Sequence, residues 1–425
     1  MNTLNQAHIS ILLDFGGSYI KSAVVRRGRQ ELENILRFPT PPFLTNKEKF
    51  KVIPTENLLQ VVNEAISEQL KFEPDASRIF ISGQMGGYVI LKDQEFEIIS
   101  WQDERALLQE NSEKYANILL TLDRSADFKL TGSELRPGLP LVSIAASSPG
   151  EKNSNLNQPF RSLISFVSSY LTDFKCDEMH ITDAAASGFF DIFNNQWDKN
   201  LIALAGHGFT FPKVYGELKK LGYSKKYDLE VFCGVGDQQA SLFGAGLTSD
   251  KLVVNIGTGG QVAGLQGQFE TDGNYQIRPY FNGEKIRTIT HLPSGRALKS
   301  FVEFVFGENA SDSDYEAFIN MAGDANEGRI IEISNFDETI ELLKERGSPK
   351  DIEGLAGAFF HSLIEIYAKS ISTLDLEGDL IFAGGVGQKV RIISTGLSAL
   401  TSREFYISDT DETTLEGLRL LSESV

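Results

Sequence analysis

Two short apolar runs open the chain, Ile9–Leu13 and Ile20–Val25, with Asp14, Gly16, Gly17 and Ser18 between them. Runs of this length around glycines read as two strands joined by a tight reversal. A loop with Pro39, Pro41 and Pro42 follows. Leu58, Leu59, Val62, Ala65, Ile66 and Leu70 then recur near the helical period, which predicts a helix over 55–70 with Thr55 as its cap. The stretch 78–91 reads as a buried strand entering a loop, and a mixed α/β pattern with a helical run at 161–171 continues to about residue 200. Beyond residue 230 the pattern is strand, tight turn and helix over 230–246, then strand, glycine turn and strand over 251–267. Helical periodicity returns at 296–306, 354–371 and 413–423, and 379–400 reads as a strand running into glycines and then a helix. The expected organisation is two α/β domains meeting between residues 200 and 235, here divided as 1–230 and 231–425.

One internal echo stands out. "LLDFGGSYIKSAVV" and "VVNIGTGGQVAGL" are both strand–turn–strand units with a polar residue at the strand end and glycines in the turn. The pairing predicts two facing hairpins with a cleft between them.

Composition narrows the partners. Acidic residues outnumber basic ones 58 to 40, for a net charge of −18, which disfavours nucleic acid and anionic membrane surfaces. A phosphorylated ligand remains open, because a nest of backbone amides holds phosphate even in an acidic protein. Two cysteines, Cys176 and Cys233, exclude a disulfide scaffold and a thiolate metal cluster and fit a reducing compartment. No signal-peptide pattern or long uncharged apolar stretch is visible, so a cytoplasmic protein is expected.

The glycine turns carry the candidate chemistry. Gly16 and Gly17 allow close backbone approach, and their amides with the Ser18 hydroxyl suit phosphate oxygens. Asp14 beside such a nest needs a cation, which points to Mg²⁺ held through water; an ordinary hairpin is the competing reading. Gly257, Gly259, Gly260 and Thr258 repeat the logic without the acid. Neither segment is a P-loop, since GxxxxGK[ST] is absent and a hairpin follows, and "GGVGQK" lacks a downstream ribose-binding acid. Asp237 follows the bends at Gly234 and Gly236 and begins a helix, as a cap or as a general base for a hydroxyl attacking phosphorus. Gln84 and Met85 in "SGQMGG", with Trp101, Gln102, Asp103 and Arg105 in "SWQDER", compose one apolar ring face and several directional polar groups, suited to a sugar. His8, His180, His207, His291 and His361 show no metal spacing and read as structural or surface residues.

Taken in order, "LLDFGGSYIKSAVV", "SGQMGG", "WQDER", "HITDAAASGFFDI", "CGVGDQQASLFGAG", "VVNIGTGGQV", "IFAGGVGQK" and "ETTLEG" resemble the FGGY family of carbohydrate kinases over residues 9–421. The resemblance implies an α/β fold of two ribonuclease H-like (actin-like ATPase) domains flanking a catalytic cleft. It implies ATP and Mg²⁺ as cofactors, a small-molecule sugar as substrate, no nucleic-acid or membrane partner, and a monomer or homodimer. Asp237 is then the base and, with Asp14, a group near the metal. Gly16, Gly17, Ser18, Lys21, Gly257, Thr258, Gly259, Gly260, Gly384, Gly385 and Lys389 fall on the nucleotide side. Gln84, Met85, Trp101, Asp103, Arg105 and Gln238 fall on the sugar side. The segment "IRPYFNGEKIRTITHLPSGRALKSFVEF" is most similar to the sedoheptulokinase-like branch. Where xylulokinases sharing "SGQM" place a histidine, this chain has Gly86; the space so opened suits a longer ketose, so sedoheptulose is the expected acceptor. Xylulose, ribulose or another polyol is the alternative, and a sugar sensor or an actin-like ATPase is the alternative of a different class. The region 308–347 reads as abbreviated relative to the family.

Overall fold

The computed structural model describes residues 8–44, 49–92, 94–147, 158–206, 208–265, 274–324, 333, 335–346 and 352–425. Two mixed sheets dominate, and they share one construction. In the first, β1 (Ile9–Phe15) and β2 (Tyr19–Arg26) form an antiparallel hairpin extended by β3 (Glu33–Pro39). On the other side of β1 lies β4 (Arg78–Gly83), parallel to it. Then come the antiparallel pair β5 (Lys220–Ser224) and β6 (Leu229–Phe232), with β6 parallel to β4, and the short β7 (Val235–Gly236) on the end of β4. The third strand was not anticipated from the sequence, where only the prolines at its end drew notice.

The second sheet repeats the order. A hairpin of β8 (Lys251–Ile256) and β9 (Gly260–Leu265) is extended by β11 (Lys285–Leu292), which also pairs with β10 (Gln276–Pro279). Beyond β8 lie β12 (Asp379–Ala383) and β13 (Phe405–Ile407), both parallel to it. The hairpin echo in the sequence is thus the visible part of a duplicated sheet topology. The last strand of the first sheet is β7, so the division expected after residue 230 falls within β6.

Burial explains the strand sequences. From Ser10 to Phe15, β1 is buried throughout, because both faces of its sheet are covered and the strand therefore reads as a nearly continuous apolar run. Ile11, Leu13 and Phe15 pack beneath α1 (Thr55–Phe72) and α2 (Leu163–Leu171), which present Leu58, Val62, Ile66 and Phe166, Val167. Thr55 does not cap α1. Pro54 occupies the cap position, and the Thr55 hydroxyl donates to the Phe96 carbonyl at 2.6 Å.

Between the sheets lie α3 (Asp237–Gly244) and, after α4 (Ile352–Leu374) and α5 (Arg391–Thr401) on the outer face of the second sheet, the C-terminal α6 (Thr413–Glu423). Leu12, Val25 and Phe80 of the first sheet and Val253, Ala263 and Ile381 of the second share one core with Leu242 of α3 and Leu415, Leu418 and Leu421 of α6. The two helices meet backbone to backbone. A Cβ on Gly244 would lie 1.9 Å from the Thr413 carbonyl oxygen, and one on Gly417 would lie 1.9 Å from that of Ala240. In the region 308–347, helices Asp312–Asp324 and Phe336–Arg346 are described; residues 325–332, 334 and 347, like His207, lie outside the described residues.

Candidate active site

Both hairpin turns and the start of α3 open on one cavity of about 720 Å³. Its lining gathers Asp14, Gly16, Gly17, Ser18 and Lys21 from the first hairpin and Gly257, Thr258, Gly259 and Gly260 from the second. Gln84, Met85, Trp101, Gln102, Asp237 and Gln238 line it as well.

Chain conformation positions the turns. The Gly16 amide donates to the Tyr19 carbonyl at 3.1 Å, and the Thr40 hydroxyl donates to the Gly16 carbonyl at 2.9 Å. Gly17 and Ser18 stay exposed at the tip. In the second turn the Gly257 amide donates to the Gly259 carbonyl at 3.0 Å, while the Ser294 hydroxyl fixes the Thr258 carbonyl at 2.7 Å. Gly260 permits contact with Tyr367, whose hydroxyl would lie 2.1 Å from an added Cβ. Gly384, at a φ of +77°, packs against the amide of Gly257, but Gly384, Gly385 and Lys389 do not line the cavity. Gly385 and Lys389 are exposed.

Asp14 stands a position before the end of β1 and Asp237 begins α3, after the β7 pairing has carried the chain to the end of β4. Asp14 is buried, and its Oδ1 has no hydrogen-bond partner. Burial, reinforced by the Asp237 carboxylate, pushes its pKa up to about 8, against the pull of Lys21. Burial likewise raises Asp237 to about 7, although the backbone amide of Gln238 donates to its Oδ1 at 2.8 Å and Arg278 lies near. Asp237 is the first residue of its helix, with Gly236 as the cap. A Cβ on Gly236 would meet the Met85 sulfur at 2.1 Å, so the glycine lets Met85 lie against the start of the helix. Lys21 lines the cavity but is paired with Glu412 at 2.6 Å, an acid it shares with Arg37.

The sugar-side expectations divide. Trp101 lines the cavity and donates from Nε1 to Gln84 Oε1 at 2.9 Å; Gln84 Nε2 donates to the Gly16 carbonyl at 3.0 Å. Gln84 therefore ties the tryptophan wall to the first turn. Gln238 Nε2 is likewise committed, to Gln261 Oε1 and Thr288 Oγ1. Asp103 and Arg105 do not reach the cavity. They form a buried pair, with Arg105 Nε 2.7 Å from Asp103 Oδ1, and Asp103 also accepts from the Lys51 and Arg105 amides. Two residues apart on a tight loop, they satisfy each other and shape the loop that carries Trp101.

Several cavity residues were missed. Arg136 sits over Gly86: an added Cβ there would be 2.6 Å from Arg136 Nη2, and the guanidinium lies 5.4 Å from the Trp101 ring centre. The room expected at Gly86 is therefore filled. Arg278 of β10, only 8% exposed, comes in from the second sheet. His291, read as structural, lines the cavity with its ring 5.8 Å from that of Trp101. Asn255, Gln261, Thr290 and Arg296 are also present. Arg278 stands in the "RP" segment singled out for its resemblance, so its identity was legible; its partnership with Arg136, more than a hundred residues away, was not. His180, by contrast, is buried and caps a short helix by accepting from the Thr182 amide. No group of three or more His, Cys, Asp or Glu able to hold a metal occurs among the described residues, and no described helix is long and apolar enough to cross a membrane.

No protein-family model matches the chain, and no curated protein matches it. Solved structures do. Gluconate kinase from Lactobacillus acidophilus superposes with a TM-score of 0.81 at 15% identity, covering 98% of this chain and 89% of that one. Xylulose kinase from the same organism gives 0.80 at 16% identity, and Plasmodium falciparum glycerol kinase with ADP gives 0.78 at 14%, each with the same coverages. At this identity the likeness is one of fold, and the fold is that of the carbohydrate kinases: two actin-like ATPase domains, each built on a hairpin-led mixed sheet, about a central cleft.

Proposed function

We propose that this chain is an ATP-dependent carbohydrate kinase, transferring the γ-phosphoryl group of ATP to a hydroxyl of a sugar or polyol. The observation that carries the reading is one cavity in which Asp14 and Asp237 lie between two glycine turns and a wall of Met85 and Trp101. The structural neighbours named for gluconate, xylulose and glycerol kinase support it.

In this reading the Gly17 and Gly259 amides, with the Ser18 and Thr258 hydroxyls, cradle phosphate oxygens, the Gly16 and Gly257 amides being held inside their turns, and Gly384 and Gly385 border the nucleoside. Asp237 accepts a hydrogen bond from the attacking hydroxyl and takes its proton as the new oxygen–phosphorus bond forms and the bond to ADP breaks. An aspartate near its ordinary pKa is a weak base, but burial moves Asp237 to about 7, the range in which a base works best at neutral pH. Asp14 fits a divalent cation: its Oδ1 is buried without a partner, and Mg²⁺ needs only one or two carboxylates where phosphates and waters fill its shell. Asp14, with Asp237 near it, would hold the ion, which supplies charge neutralisation on the phosphates. A seven-carbon ketose was expected from the segment beginning "IRPYFNG" and from space at Gly86, and Arg136 takes that space. Sedoheptulose therefore stands level with xylulose, ribulose and other polyols.

The test is Asp237→Ala. Sugar-dependent ADP release should fall roughly 10²–10⁴-fold, while ADP affinity measured by calorimetry is retained. In the unaltered protein kcat/KM should rise with pH through about 7, as Asp237 loses its proton. Undiminished turnover in a folded variant would remove Asp237 from this role.

A further inference from the structure

We infer that the acceptor carries a carboxylate, gripped by Arg136 and Arg278, so that the cleft takes a sugar acid in preference to a neutral sugar. The inference rests on the kinase reading and specifies its acceptor.

Three guanidinium groups face one cavity; Arg296 is exposed and donates to the Thr258 carbonyl at the second turn, which leaves Arg136 and Arg278. Among the described residues Arg136 makes no hydrogen bond or ion pair; its one close partner is the Trp101 ring. Arg278 directs Nε and Nη2 to the neutral Gln276 Oε1, and its Nη1 has no partner among the described residues. Gln276 is in turn held by donating to Glu134 at 2.7 Å and Thr290 at 2.9 Å. Charged groups taken from water are normally paired, so cations left open toward a cavity mark where an anion belongs. The two arginines also disturb each other: burial, and then the charge of Arg136, lowers Arg278 to about 10.

The acids nearby define the kind of anion. Glu134 is exposed and Asp237 stands on the floor, and each acts on Arg278 at a distance without forming an ion pair. A dianionic phosphate ester would bring two negative charges toward both acids, whereas a carboxylate brings one. Guanidinium and carboxylate also match as planar, two-pronged partners. The Trp101 face then supports the carbon chain, leaving a hydroxyl free to reach Asp237. Gly86 becomes a specificity position, because its bare Cα admits Arg136.

The experiment is calorimetric titration of the purified chain with five- to seven-carbon aldonates, their matched alditols and the matched aldose phosphates, repeated on Arg136→Gln and Arg278→Gln. ADP titration of each variant serves as the folding control. Aldonates should bind roughly 10–100-fold more tightly than alditols, the range of a charge-assisted contact, and either substitution should erase the preference while ADP affinity stays. Equal or tighter binding of the alditols, tighter binding of the phosphates, no aldonate binding at millimolar concentration, or a preference that survives Arg136→Gln would overturn the inference. A coupled assay of ADP release separates it from the underlying reading. Aldonate binding without ADP release upholds the carboxylate site and defeats the kinase; release with neutral sugars alone does the reverse.

Discussion

Asp14 is the one charged residue of β1, a position before its end, and its buried Oδ1 has no partner. Folding raises its pKa from 3.8 to about 8, so the folded chain holds this proton more tightly than the unfolded one. The stability tied to that proton is complete below the ordinary carboxylate range and is lost as pH rises through about 8. Asp14→Asn should therefore raise the melting temperature of the ligand-free protein by several degrees at pH 8, with the gain vanishing near pH 4. Thermal scans across that range check it. A gain that is flat with pH would mean that the carboxylate already has a counter-charge. The same substitution should shift Mg²⁺-dependent turnover to higher Mg²⁺, because an amide cannot offset the cation.

At the scale of elements, the loop bearing Trp101 depends on the Asp103–Arg105 pair, whose side chains are 0% and 10% exposed. Breaking a buried pair strands the remaining charge, at a cost of about 3–5 kcal/mol. Asp103→Ala should thus lower stability on that order and raise the sugar KM more than it lowers kcat, since Trp101 loses its support while Asp237 is untouched. Denaturant titration and steady-state kinetics report the two effects. The α3–α6 contact is stricter. A methyl group on Gly417 would collide with the Ala240 carbonyl, which cannot rotate away as a side chain would. Gly417→Ala should cost about 1–3 kcal/mol or more through overpacking, read as a shifted denaturant midpoint; an unchanged midpoint would mean that the helices slide freely.

For the whole molecule, the cleft lies between two sheets joined by α3 and α6 in a shared core. The chain's end is tied back across this arrangement, where Glu412 meets Lys21 and Arg37, Arg78 donates to the Val425 carbonyl, and Arg419 donates to that of Arg29. A ligand that binds the folded chain between both glycine turns stabilises it against unfolding. Saturating ADP with Mg²⁺ and an accepted sugar should together raise the melting temperature more than either alone, each contributing about 2.7 kcal/mol at a hundredfold excess over its Kd. A shift no larger with both ligands than with one alone, or no shift at all, would deny that both bind in this cleft together.

What the sequence determined by itself was local. Strand–turn–strand units follow from apolar runs around glycines, helices from their period, and the acids at strand and helix ends from charges set where apolar residues surround them. These features depend on neighbours a few residues away, and Asp14, Asp237 and both glycine turns were accordingly legible. Tertiary structure decided everything that depends on partners far along the chain. It turned Asp103 and Arg105 inward, because each satisfies the other's charge. It closed the space over Gly86 with an arginine fifty residues away, and it brought Arg278 and His291 from the second sheet into the same wall. It also raised Asp237 from an ordinary carboxylate to a base suited to neutral pH, since burial is a property of the assembled fold and of no single segment.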